Sequence, residues 1–119
     1  MATKKIKATI PESVTQKAIL AYLKSKGYMA VKVPLGPMMV HAGPKMHMAP
    51  NPLKGFPDIM TFSIHDTGRM IGIEVKSAIG KLNPQQIEWR DRLLALGVLH
   101  CVARSIEDVK QFLNEEDII

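Results

Sequence analysis

With 119 residues, 46% of them apolar, the chain can fill one hydrophobic core but not two. Its single cysteine, Cys101, excludes an internal disulfide and fits a reducing, intracellular setting, and no window nears the roughly 18 uninterrupted apolar residues of a membrane span. The net charge of +5 is lopsided: residues 1–57 hold nine lysines against one acid, and residues 58–119 hold seven basic residues against ten acids.

In chain order, residues 1–9 read as a basic arm. Lys4, Lys5 and Lys7 are present, but the apolar stretch and cleavage site of a signal peptide are not. Residues 10–119 then form a single domain. A helix is expected over 12–26, with Glu12, Gln16, Ile19, Leu20 and Leu23 on one stripe. Its start is set either by Pro11 or by a Ser13–Gln16 capping box, and Gly27 ends it. Tyr28 to Val33 alternates weakly, as a strand. Residues 34–57 hold six of the eight prolines, three glycines and two histidines, which predicts a long irregular loop, either functional or disordered.

Strands over 58–64 and 70–77 flank Asp66-Thr67-Gly68, read as a three-residue hairpin loop. Asn83 caps a second helix, with Pro84 in its first turn, Gly97 after its last, and Gln86, Trp89, Leu93 and Leu96 along its core-facing stripe. A strand over 98–104 follows, where Cys101 reads as a buried, inert thiol. Ser105, with Asp108 three residues on, caps a last helix. The order α-β-β-β-α-β-α predicts an α/β fold: a mixed sheet flanked by helices, the second helix crossing between parallel strands.

Chemistry gathers in Gly55-Phe56-Pro57-Asp58 and Glu74-Val75-Lys76. Alternation puts Glu74 and Lys76 on one face of their strand. A three-residue loop opposes Asp58 to Lys76 and leaves Glu74 on the diagonal, roughly 7–8 Å from Asp58. Two carboxylates so placed suit one hard divalent cation, with the Val75 backbone carbonyl as a further oxygen ligand. Such a cation polarises a phosphoryl oxygen and activates a water, and Lys76 orients that water or steadies developing charge. Glu-x-Lys alone is common on exposed strands, and Gly-x-Pro-Asp alone is an ordinary turn. Their conjunction across one hairpin points to nuclease chemistry.

Several residues carry two readings each. Gln16 and Gln86 are either capping-box partners or supports of the site. Trp89 reads as core. Met38, Met39, Met46 and Met48, with Ile118 and Ile119, suit either a partner interface or a core. His41 and His47 are phosphate contacts or ordinary loop residues, and no zinc-site spacing links them to Cys101. The charge asymmetry suits a polyanionic partner or a solvated lysine-rich surface. With aromatics at 5%, phosphate contact explains nucleic-acid binding better than base stacking.

Gly55-Phe56-Pro57-Asp58, Ile73-Glu74-Val75-Lys76 and Gly80-Lys81-Leu82-Asn83-Pro84-Gln85-Gln86-Ile87-Glu88-Trp89 resemble the virus-type replication-repair nuclease (VRR-NUC) domain of the PD-(D/E)xK nuclease superfamily, over roughly residues 12–110. The resemblance implies a restriction-endonuclease-like core and DNA cleavage dependent on Mg²⁺ or Mn²⁺. It makes Asp58 and Glu74 metal ligands, Lys76 catalytic and Gln86 a support, with Glu12 matching an acidic residue of the first helix. A stand-alone chain of this kind resembles the phage-type members, which implies a homodimer acting on branched DNA, such as four-way (Holliday) junctions; the expected setting is the cytoplasm of a bacterial or phage-infected cell, or another intracellular one. The candidate DNA contacts are Lys4, Lys5, Lys7, Gln16, Lys45, Lys54 and Lys81. The proline-rich segment 34–54 matches no motif of the family. Rival expectations are a flap or end-directed nuclease, a non-catalytic branched-DNA-binding module, and an RNA-directed protein.

Overall fold

Pro11, not Ser13, sets the start of the first helix, α1 (Glu12–Ser25). The Pro11 carbonyl accepts from Val14 N at 3.0 Å, and no side chain caps this end, so the Ser13–Gln16 capping box does not form. At the other end Tyr28 N bonds the Leu23 carbonyl and Gly27 N the Lys24 carbonyl, the paired bonds of a Schellman motif. The computed structural model describes residues 9–66 and 68–117. The basic arm with Lys4, Lys5 and Lys7, and the terminal pair Ile118 and Ile119, lie outside the described residues.

Among the described residues, α1 is followed by β1 (Val31–Lys32), β2 (Met38–Ala42), β3 (Lys45–Ala49), β4 (Ile59–Phe62), β5 (Met70–Val75), α2 (Pro84–Ala95), β6 (Leu99–Ala103) and α3 (Ile106–Asp117). β1, β4, β5 and β6 form a four-stranded sheet in that order. β1 and β5 run antiparallel to β4, and β6 runs parallel to β5. The fold is therefore α/β with a mixed sheet, and α2 makes the expected crossover between parallel neighbours. Among the described residues no helix is long and apolar enough to cross a membrane.

One face of β5 builds the core. Ile71, Ile73 and Val75 meet Ile19 and Leu23 of α1, Val109 and Leu113 of α3, and Cys101 and Ala103 of β6. Burying each large aliphatic side chain contributes about 1.5–3 kcal/mol. Burial pushes the Cys101 thiol up to about 12, with Asp108 adding to the effect, so it is inert at neutral pH as expected. The opposite face of β5 carries Gly72 and Glu74 and lies under Pro57. A Cβ on Gly72 would stand 2.8 Å from the Pro57 ring.

Four expectations need correction. Residues 34–57 are not irregular throughout: β2 and β3 pair as an antiparallel hairpin, Met38 with Ala49 through Ala42 with Lys45. The prolines bound the strands rather than interrupt them, and Gly43 (φ +65°) with Pro44 fills a two-residue turn with glycine at its first central position. The strand expected over 28–33 shrinks to Val31–Lys32. The loop between β4 and β5 is longer than three residues. The Ser63 hydroxyl accepts from His65 N and Asp66 N, and Ser63 N bonds the Arg69 carbonyl at 2.8 Å, so Ser63 closes the loop opposite Arg69. Leu96, expected on the core stripe of α2, is 81% exposed because α2 has already ended at Ala95.

Candidate active site

The longer loop moves the register by two residues. Ile59 pairs with Ile73, so Asp58, just before β4, stands opposite Glu74 rather than opposite Lys76. An even shift preserves which side chains share a face. Asp58, Glu74 and Lys76 therefore remain together, and the two carboxylates lie closer than the diagonal expected from sequence.

Asp58 is held at both ends. Its carbonyl accepts from Val33 N at 2.8 Å, and its carboxylate Oδ2 accepts from Val75 N at 2.8 Å. The side chain thus takes over the ladder bond where the backbone pairing of β4 and β5 stops. Upstream, Gly55 has φ +93° and lies so close to α2 that a Cβ would stand 2.7 Å from the Gln85 backbone. Only glycine fits both constraints. Phe56 then packs edge-on against Trp89 at 5.0 Å, and the Trp89 indole donates to the Lys54 carbonyl at 3.1 Å. Trp89, expected in the core, is half-buried and fastens this loop to α2 instead.

Glu74 is 2% exposed and Lys76 9% exposed. Gln86 Nε2 donates to Glu74 Oε2 at 3.2 Å. Among the described residues Glu74 Oε1 has no hydrogen-bond partner although it is buried. A buried, half-satisfied carboxylate is costly. Its pKa is pushed up to about 9, chiefly by burial, then by the adjacent Asp58 and more weakly by Glu12, against the opposing pull of Lys76. Without a cation the carboxyl is neutral at pH 7.

Gln86 completes the capping box and also bonds Glu74. Its Oε1 accepts from Asn83 N and its backbone N–H is capped by Asn83 Oδ1, each at 2.9 Å, completing the capping box while Nε2 reaches Glu74. The first turn of α2 is thus a rigid mount for the site. Glu12, in the first turn of α1, accepts from Ser77 N at 3.3 Å, close beyond Lys76, and its charge is felt by Glu74. Gln16 is half-buried one turn further along α1, and no hydrogen bond among the described residues ties it to the site. Val75 ends β5 with its side chain in the core. Lys45 lies exposed at the hairpin turn, Lys54 is exposed on the loop leading to Asp58, and Lys81 is exposed before α2.

Arg104 is a contributor that sequence reasoning missed. One of its guanidinium nitrogens donates to the carbonyls of Ser77 (2.5 Å) and Gly80 (2.6 Å), clamping the turn that follows Lys76. No local pattern marks it, because its partners are backbone atoms 24 or more residues away.

The donor set fits a hard divalent cation. It consists of two adjacent carboxyls, one of them with an orphaned buried oxygen, and a third acid nearby. Among the described residues no three His, Cys, Asp or Glu side chains stand close enough to form a metal-holding group, so Glu12 does not complete a three-acid cluster with Asp58 and Glu74. Compared with models of known families, with characterised proteins and with solved structures, the chain matches none.

Proposed function

We propose that this chain is a divalent-metal-dependent endonuclease with a restriction-endonuclease-like core, hydrolysing phosphodiester bonds in branched DNA, with four-way junctions as its preferred substrate. The buried carboxyl of Glu74 facing the half-buried carboxyl of Asp58, beside a buried lysine, carries the proposal, since such a group has no use as packing and a direct use in phosphoryl chemistry. Asp58 and Glu74 would hold Mg²⁺ or Mn²⁺, with Glu12 and the Val75 carbonyl as further oxygen donors. When bound, the cation supplies Lewis acidity towards a phosphoryl oxygen and lowers the pKa of a water.

The chain's own residues do the positioning. The Val75 N–H fixes the Asp58 carboxylate, and Gln86 fixes Glu74 from the opposite side. Lys76 keeps a preorganised positive charge where negative charge develops on the scissile phosphate. The backbone of the turn after it is held by Arg104 and Glu12. A homodimer supplies the two sites that symmetric cutting of a junction requires.

A panel of labelled four-way junction, flap, nicked duplex and single strand, incubated with Mg²⁺ or Mn²⁺, tests the substrate class. Paired symmetric nicks in the junction are expected, and they disappear in Asp58→Ala. Equal cutting of every substrate would remove the junction preference, and no cutting of any would remove the nuclease.

A further inference from the structure

The β2–β3 hairpin is a two-stranded sheet of its own, separate from the four-stranded one. Its strands pair with each other, neither packs extensively on another element, and Met38, Met39, Met46 and Met48 are 42–56% exposed. An isolated two-stranded ribbon is marginal in water, and four large apolar side chains on one call for an occupant.

The ribbon is nevertheless anchored. Asn51 Nδ2 donates to the carbonyls of Pro34 (2.8 Å) and Gly36 (3.2 Å), and its Oδ1 accepts from Leu53 N, tying the two legs together at the base. The return leg then runs straight into the Lys54–Asp58 segment, fixed by the Trp89–Lys54 bond and the Gly55–Gln85 contact. One continuous, braced stretch of chain therefore joins the ribbon to a carboxylate of the site.

We infer that this ribbon is the DNA-engaging arm of the site, lying in the major groove of the duplex arm that flanks the cut phosphate; this rests on the nuclease proposal. Three observations favour DNA over a second copy of the chain. Between Glu12 and Asp58 there is no acidic residue at all, so nothing on the ribbon or its base repels phosphate. The pairing places Met39, His41, Met46 and Met48 on one face and Met38, Val40, Lys45 and His47 on the other. Each face sets a histidine among its apolar side chains and the second adds the charge of Lys45, hydrogen-bonding and ionic groups that suit base edges and phosphates better than a dry interface between copies. A two-stranded ribbon is also one of the two elements a major groove admits, with apolar side chains meeting thymine methyls and cationic ones the phosphates.

The test is binding of fluorescent four-way junction and linear duplex, by anisotropy over a salt series, with Ca²⁺ in place of Mg²⁺ to suppress cutting. It compares the wild type with Lys45→Glu and with Met39→Ser/Lys45→Glu/Met48→Ser. All three positions are exposed on a ribbon that packs extensively on no other element, so thermal melts should coincide with wild type. The triple variant is expected to bind at least tenfold more weakly, and Lys45→Glu to flatten the salt dependence. Unchanged affinity and salt slope in both variants would overturn the inference and leave the nuclease standing, because the wild type would still bind and cut. Conversion of a wild-type dimer to a monomer by the triple variant, seen in sedimentation, would also overturn it and assign the ribbon to the interface between copies. A wild type that neither binds nor cuts any DNA would remove both proposals.

Discussion

Glu74 sits where a carboxylate is least stable, and its neighbours make matters worse rather than better. Asp58 and Glu12 both disfavour its charge, and Lys76 offsets them only in part. In the metal-free folded state it keeps its proton to about pH 9, whereas in the unfolded chain it releases it near 4.5. The folded state therefore binds more protons across that window, and stability declines as pH rises through it. Glu74→Gln removes this titration. Denaturant melts in EDTA should show the variant close to wild type near pH 4.5 and more stable by on the order of a few kcal/mol at pH 8. Parallel pH profiles for the two proteins would contradict the burial argument. A cation at Glu74 must displace that proton, so Mn²⁺ affinity by calorimetry should rise about tenfold per pH unit between pH 6.5 and 8.5. A pH-independent affinity would place the metal elsewhere.

The loop from Lys54 to Asp58 is the element on which the site depends, and Gly55 is its weakest point. Gly55→Ala combines a positive φ with a clash on the Gln85 backbone. It should destabilise by about 1–3 kcal/mol and reduce cutting by displacing Asp58. Gly43→Ala also has a positive φ, but open space surrounds it on a ribbon that packs extensively on no other element. Its global melting temperature should hardly move, and equal effects of the two changes would refute this account of Gly55. Alternation along β5 and the even count across its hairpin made the shared face of Asp58, Glu74 and Lys76 legible in sequence. The register was not legible, because the Ser63 side chain competes for the loop amides, and residue type alone does not say which serine will do so. The β2–β3 hairpin went unread for another reason. Six prolines in 24 residues argue against regular structure, yet their spacing leaves two five-residue gaps around Gly43-Pro44, each long enough for a strand. Helix ends were clearer. Asn83-Pro84 and the glycines after α1 and α2 act through local bonds that the sequence spells out.

At the scale of the whole molecule, charge and topology divide the labour. The half of the chain with nine lysines and one acid supplies α1, the ribbon and the approach to Asp58. The half rich in acids supplies Glu74, Lys76 and the helices that brace them. The sheet joins the two halves where β1 pairs with β4, beside Asp58, whose carbonyl accepts from Val33 N. A polyanion drawn to the basic half would be delivered to the carboxylates, whose own repulsion a cation must offset. Single-turnover cleavage of a four-way junction by wild type and by Glu74→Gln, in Mg²⁺ or Mn²⁺ and with enzyme well above its dissociation constant, tests this most directly. The account predicts that Glu74→Gln binds the junction as tightly as wild type yet cuts it slower by about 10³-fold or more. A variant that cuts at the wild-type rate would contradict it.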